Sequence, residues 1–276
     1  MADDSQQARA ERFRALHQGP RAFVIPNPWD AGSARILASL GFEALATTSA
    51  GAAHAAGKPD GAAGRDETLA AARLIVEATP LPVAADLENG FGHAPEDAAE
   101  TIRLAQAAGL VGGSIEDATG DPSSPIYEFG QAVERVAAAV EAAGACPTPF
   151  VLTARAENFL HGRPDLDDTI RRLQAFEAAG AEVLYAPGLP GLDAVRQVCS
   201  AVSRPVNVLA GAAFTVEQLS QAGARRISLG SALSRAALGA LVRAAREILE
   251  DGAFTFAAEA LPYAEANRMM AAFAKA

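Results

Sequence analysis

The stretch Pro82-Val-Ala-Ala-Asp-Leu-Glu-Asn-Gly-Phe-Gly92 decides how the chain is read. Its first half is short, apolar and announced by proline, as a buried strand is. Its second half turns polar at once, with Asp86 and Glu88, and then breaks at Gly90 and Gly92. Alternate residues of an extended chain share one side, so the two carboxylates project together from the strand's end. Oxygen donors in that position, backed by glycines, form a seat for a hard cation, Mg²⁺ or Mn²⁺, rather than zinc.

Working outward, the same unit recurs. Short apolar runs begin at Ala22, Ala44, Gly112, Pro149, Glu182, Pro205 and Arg226, which with Pro82 makes eight. Amphipathic stretches of helical length lie between and after them, at 31–40, 66–78, 95–108, 129–143, 167–179, 191–202, 215–222 and 231–249. Three helix–strand junctions carry the same stop signal, at Gly109, Gly180 and Gly223, where glycine ends a helix and a strand follows. Eight strand–helix units in a row predict an α/β fold, the (β/α)₈ TIM barrel. An open doubly wound sheet normally has fewer units, and no Gly-x-Gly-x-x-Gly follows the first strand. The expected division is an N-terminal segment or helix over 1–20, the barrel over 21–250 and a helical extension over 251–276. Within the first segment the opening dozen residues, polar and without apolar period, read as disordered.

Composition narrows the function. The net charge of −10 disfavours nucleic acid and anionic membrane as partners. No apolar run reaches membrane-span length and no signal peptide opens the chain, so the expected location is the cytoplasm. Two cysteines, Cys146 and Cys199, suit neither a disulfide scaffold nor a zinc site. Both fall away from the strand ends, which argues against a catalytic thiol. Only Lys58 and Lys275 are lysines among 23 basic residues, and neither sits where a Schiff-base lysine must.

In such a barrel the reactive groups gather at the C-terminal ends of the strands. There the chain places Asn27 to Asp30, Thr47 to Gly51 with a following loop carrying His54, Lys58 and Asp60, then Asp86 and Glu88, Glu116 and Asp117, Arg155 to Asn158, Tyr185, Asn207, and Gly230-Ser231. A strand-end acid is often only a helix cap. Asp117 and Glu157 fit that reading or an ion pair, whereas Asp86 and Glu116 cap no obvious helix. Arg155 either neutralises the acids or holds a substrate carboxylate. His93 reads as a helix-start residue, and Gly230-Ser231 as a plain N-cap rather than a phosphate site.

Three motifs, Asp86-Leu-Glu-Asn-Gly-Phe-Gly92, Gly113-Ser-Ile-Glu-Asp117 and Thr153-Ala-Arg-Ala-Glu157, with the loop Gly57-Lys-Pro-Asp60, resemble the isocitrate lyase/phosphoenolpyruvate mutase superfamily over about Phe23 to Leu233. The resemblance implies a Mg²⁺-dependent lyase. It would act on a small 2-oxo or 2-hydroxy di- or tricarboxylic acid through a metal-stabilised enolate. It implies Asp86 as direct ligand, Glu88 and Glu116 on metal-bound waters, and Asp60 farther out. Arg155 would grip a carboxylate, and Thr48, Ser49 and the Ala50 amide would cradle the bound acid. Tyr185 and Asn207 complete the expected substrate pocket. It also implies a homotetramer, built from dimers that exchange their final barrel helices, which would give the surplus C-terminal helix a place. The chain departs from the pattern at Ala118–Ile126, which lacks the Lys-Lys-Cys-Gly-His of the lyases, and at Ala186-Pro187, which lacks the mutase histidine. Asp60, Glu116, Arg155 and Tyr127 are the catalytic candidates, with His54 a further base, and the 118–128 loop is expected to close over the site. Alternative readings are a 2-oxo-acid-binding member with little turnover, a C–P bond mutase or hydrolase, and an unrelated phosphate-binding isomerase.

Overall fold

A computed structural model describes residues 5–273. Eight parallel strands run in the order β1-β8-β7-β6-β5-β4-β3-β2. They are β1 Phe23–Ile25, β2 Leu45–Ala46, β3 Val83–Asp86, β4 Gly112–Glu116, β5 Val151–Arg155, β6 Val183–Tyr185, β7 Val206–Leu209 and β8 Arg226–Ser228. The seam between β1 and β2 is bridged just beyond β1, where the Ala46 N–H donates to the Pro26 carbonyl at 3.1 Å. Asn27 adds a second tie. Its Nδ2 donates to Thr47 O at 3.0 Å and its Oδ1 accepts from Leu229 N at 2.8 Å, joining the ends of β2 and β8. The sheet is thus a (β/α)₈ barrel, as the repeated unit predicts.

The helices are α1 Gln6–Leu16, α2 Ala31–Ser39, α3 Ser49–Ala55, α4 Arg65–Ala78, α5 Pro95–Ala107, α6 Phe129–Gly144, α7 Leu166–Ala178, α8 Leu192–Ala201, α9 Val216–Gln221, α10 Ala232–Asp251 and α11 Tyr263–Ala271. Two core clusters lie between the strands and the surrounding helices, one on the β3–β4 side and one on the β6–β8 side. A third fills the N-terminal end of the barrel.

That third cluster overturns the expectation of disorder from Ser5 onward, while residues 1–4 lie outside the described residues. Residues 6–16 form a helix, capped by the Ser5 hydroxyl accepting from Ala8 N. Ala10 and Phe13 are wholly buried against Phe23, Ala84, Val111, Val151 and Val183. Gly112 makes the room, since a Cβ there would stand 2.8 Å from the Phe13 ring. Gln6 donates to the carbonyls of Gln106 and Leu110, and Arg14 forms a two-pronged pair with Glu182 at 3.0 and 3.1 Å. The helix is therefore a plug that closes the end of the barrel opposite the catalytic face.

The other departures are at the far side. The segment after β2 is not a loop throughout, because α3 begins at Ser49, with Thr48 as its N-cap. The helix α10 buries only Ser234 against the rest of the described chain. Leu241 and Leu249 on it are 64% and 84% exposed. After a 3-10 turn at Thr255–Glu259, α11 returns to lie on α2, with Met269 buried. No helix of the described chain is long and apolar enough to cross a membrane.

Candidate active site

The turn after β3 is held in a strained form. Glu88 and Phe91 have φ of +49° and +60°, left-handed values that side chains disfavour, with Gly90 between them at +84°. A Cβ on Gly90 would stand 2.9 Å from Ala98 Cα, so the position requires glycine. The surroundings hold the turn in place. Glu116 N donates to Glu88 O at 3.0 Å, Thr101 Oγ1 to Gly90 O at 2.8 Å, and the buried Arg135 to the carbonyls of Asn89 and Ala94. Strain maintained by this many bonds fixes where two carboxylates point.

Around that turn the charges converge. Arg155, at the end of β5, has a side chain 12% exposed. Its Nη1 lies 2.9 Å from Asp86 Oδ1, its Nη2 3.2 Å from Glu116 Oε2, and its Nε 2.8 Å from Glu157 Oε1. Asp86 Oδ2 accepts from the Ser49 hydroxyl at 2.8 Å and from Ser49 N at 3.3 Å. One guanidinium thus faces three carboxylates, while Glu88 and Asp60 add charge nearby. Burial works against the charge of Arg155, but Glu157, Glu116 and Asp86 outweigh it and raise its pKa. The acids are not balanced in return. Burial, then Asp86 and Asp60, push Glu88 up to about 7. Burial holds Glu116 well above the usual carboxylate range, and Arg155 offsets this only in part.

This excess of negative charge fits a divalent cation, and so does one orphaned atom. Glu88 Oε1 is buried and has no hydrogen-bond partner. Among the described residues, no three of His, Cys, Asp or Glu stand close enough to hold an ion by themselves. The set therefore suits an ion held through one or two carboxylates with water completing its shell, which is how Mg²⁺ prefers to bind. A direct three-carboxylate cage of Asp86, Glu88 and Glu116 is not what the geometry offers.

Beside the cluster a cavity of about 210 Å³ opens at the strand ends and runs into the barrel. Thr48, Ser49, Ala50, Asp60, Asp86, Arg155, Tyr185 and Asn207 line it, so most of the residues proposed from the sequence meet there. Ala46, Ala84 and Gly113 leave the interior open. Glu88 and Glu116 line a second cavity, across the ion cluster, with Asn89, His93 and Thr119.

Several candidates are placed elsewhere. Tyr127 is buried and does not line the first cavity. Its hydroxyl lies 2.8 Å from His93 Nδ1, and Arg135 stacks on its ring at 4.5 Å. His54 is likewise absent from that lining. Lys58 pairs with Glu67 on α4. Asp117 and Glu157 follow the plainer reading. Asp117 accepts from Glu157 N at 2.8 Å and pairs with Arg172 at 2.9 Å, and burial lifts it to about 6. Ser231 caps α10 without a side-chain bond. Neither cysteine lines the cavity, and burial pushes Cys199 up to about 11. The 118–128 segment is an ordered finger, pinned by the Ala118–Ile126 bridge and by Thr119 N donating to Pro125 O at 3.0 Å. One charged cavity residue was read from the sequence only as a strand start and not as part of the site: Arg226, which lines the deep end of the first cavity.

The phosphoenolpyruvate phosphomutase family model matches residues 13–249, the whole barrel and most of α10. The chain belongs to that family. Similar proteins include an oxaloacetate decarboxylase from Bradyrhizobium sp., 31% identical over 94% of this chain and 91% of that protein. A 2-methylisocitrate lyase from Shewanella oneidensis is 30% identical over 89% of this chain and 87% of its own. Among solved structures, a protein from Burkholderia cenocepacia J2315 provisionally described as a lyase/mutase superposes with a TM-score of 0.95 at 57% identity, covering 98% of both chains. The protein is accordingly an enzyme of the isocitrate lyase/phosphoenolpyruvate mutase superfamily, whose named members are lyases and mutases of small carboxylic acids.

Proposed function

We propose that this family member is a Mg²⁺-dependent lyase that cleaves or decarboxylates a small 2-oxo or 2-hydroxy dicarboxylic or tricarboxylic acid by way of an enolate. The observation that carries the reading is the Asp86–Arg155–Glu116 cluster, with the orphaned Glu88 Oε1 on its far side, beside a compact cavity that Asp86 and Arg155 line. When bound, Mg²⁺ supplies positive charge against a developing oxyanion. The rest falls to side chains. Arg155 has five N–H groups and three acid partners, which leaves two to hold a substrate carboxylate. Ser49, tied to Asp86, and the Ala50 amide border the same space. Asp60 at its rim, and Glu116 across the ion cluster, are the groups proposed to move protons. The 210 Å³ cavity lies below the roughly 300–1,000 Å³ of drug-sized sites and suits a few-carbon acid.

Carbon–phosphorus chemistry is the second reading, favoured by the family model itself. An assay with and without Mg²⁺ across oxaloacetate, isocitrate, 2-methylisocitrate, 2,3-dimethylmalate and phosphonopyruvate, run beside Asp86→Ala, separates the two. Turnover that persists in Asp86→Ala at the wild-type rate refutes the enolate reading.

We also infer that a second copy of the chain covers the apolar side of α10, in a dimer that exchanges these helices and pairs into a tetramer. The support is the exposure of Leu241, Val242 and Leu249 on one helix, since large apolar patches left in water mark sites of protein contact.

A further inference from the structure

One charged group inside the barrel has nothing to balance it. Arg226 opens β8 and is 6% exposed. Its Nε donates to Asn207 Oδ1 at 2.9 Å, its Nη2 to Thr153 Oγ1 at 3.0 Å, and its Nη1 faces His17 Nε2 at 3.4 Å. Each of these partners is uncharged. His17 is neutral because burial, and then Arg226 itself, push its pKa down to about 3. Its Nδ1 lies 2.8 Å from the Phe13 carbonyl, so the ring's single proton sits there and Nε2 offers a lone pair to the guanidinium. The ionisable groups that act on Arg226 are Tyr185, a neutral phenol at ordinary pH, and Arg155, a like charge. Among the described residues no carboxylate pairs with it. Burial lowers its pKa only to about 10, so it stays a cation.

The contrast with Arg155 is informative, since one guanidinium has three acids and the other none. Burying a charge without a counter-charge is costly, and proteins avoid it unless something else completes the site. Arg226 lines the deep end of the cavity, where Ala46, Ala84 and Gly113 leave space above it. Three of its five N–H groups are engaged, and the Thr153 hydroxyl, which accepts from it, keeps its own proton to donate.

We propose that Arg226, with the Thr153 hydroxyl, is a deep anion site in the barrel, holding one singly charged carboxylate or halide beneath the Asp86–Arg155 cluster. The recognising chemistry is the same for the far carboxylate of a dicarboxylic ligand, a source that rests on the function proposed above, and for a free halide, which does not.

Thermal unfolding in chloride-free buffer, with sodium bromide or succinate as probe, tests the site. Wild type should gain about 2–3 °C at a tenfold excess over the bromide Kd, and bromide-soaked crystals should show an anomalous peak at the guanidinium. Arg226→Met should melt no lower than wild type without anion, since the substitution removes an unbalanced charge, and should show neither gain nor peak. Arg226→Lys should keep the response. A bromide gain abolished by succinate but not by oxalate assigns the site to a far carboxylate, whereas a gain that survives both assigns it to halide. Asp86→Ala should leave the bromide gain intact, which separates this site from the proposed reaction. Wild type that answers neither bromide nor succinate, or answers as Arg226→Met does, overturns the proposal.

Discussion

Glu88→Gln should stabilise the metal-free protein at alkaline pH and weaken its response to Mg²⁺. Burial and the neighbouring carboxylates hold the Glu88 carboxyl at about 7, against an ordinary 4.5. An acid with a raised folded pKa stabilises the fold below its unfolded pKa, and that contribution is lost as pH rises through the folded value. At about 1.4 kcal/mol per pH unit, keeping Glu88 ionised at pH 8 costs roughly 3 kcal/mol, or about 2–3 kcal/mol once its partial exposure is allowed for. Glutamine keeps the shape and the same left-handed backbone, so the strain at φ +49° cancels between the two proteins. It also removes one of the charges that raise Glu116. In differential scanning calorimetry without divalent ions, the variant should melt about 4–5 °C above wild type at pH 8. The gap should close towards pH 4, where both carboxyl groups are protonated. Saturating Mg²⁺ should raise wild type more than the variant and so narrow the gap at pH 8. Equal melting temperatures at pH 8 refute the charge argument, and a gain that persists unchanged at pH 4 assigns the effect to packing instead.

Two further outcomes are expected. Phe13→Ala should cost about 3–5 kcal/mol of stability, measured by urea unfolding, because its ring is fully buried at the barrel floor; a loss under about 1 kcal/mol would show that α1 is not a structural plug. Replacing Leu241 and Leu249 together by Asp should shift the sedimentation coefficient of the native particle downward to that of a smaller assembly, while an unchanged value would leave α10 without a partner role.

The barrel was legible because its signal repeats. Strands such as Pro82–Ala85 and Pro149–Leu152 are announced by proline and followed by amphipathic helices, and each unit reinforces the next. The acid cluster was legible for a related reason: Asp86, Glu116 and Arg155 each end a strand, and one barrel face collects strand ends. The helix α1 was legible only in outline, as a segment or helix over 1–20 whose opening read as disordered, since only Ala10 and Phe13 anchor it and two buried residues make no period. Arg226 was hidden more deeply. It follows Arg225 at a strand start, and nothing local tells which of two adjacent arginines turns inward. Tyr127 was expected to serve catalysis because of its position after β4, but Arg135 and His93 draw its ring and hydroxyl away from the first cavity.

The plug also sets an order of events. Phe13 packs against Val151 and Val183, and Arg14 pairs with Glu182. The helix must therefore wait for partners made about 170 residues later, roughly 10–30 s at ordinary elongation rates of about 5–20 residues per second. Until then its apolar face has only part of its partners, from Phe23, Ala84 and Val111. Closure of the barrel floor is consequently a late, long-range step in folding. The slowest phase of refolding should report on the end of the molecule farthest from the chemistry.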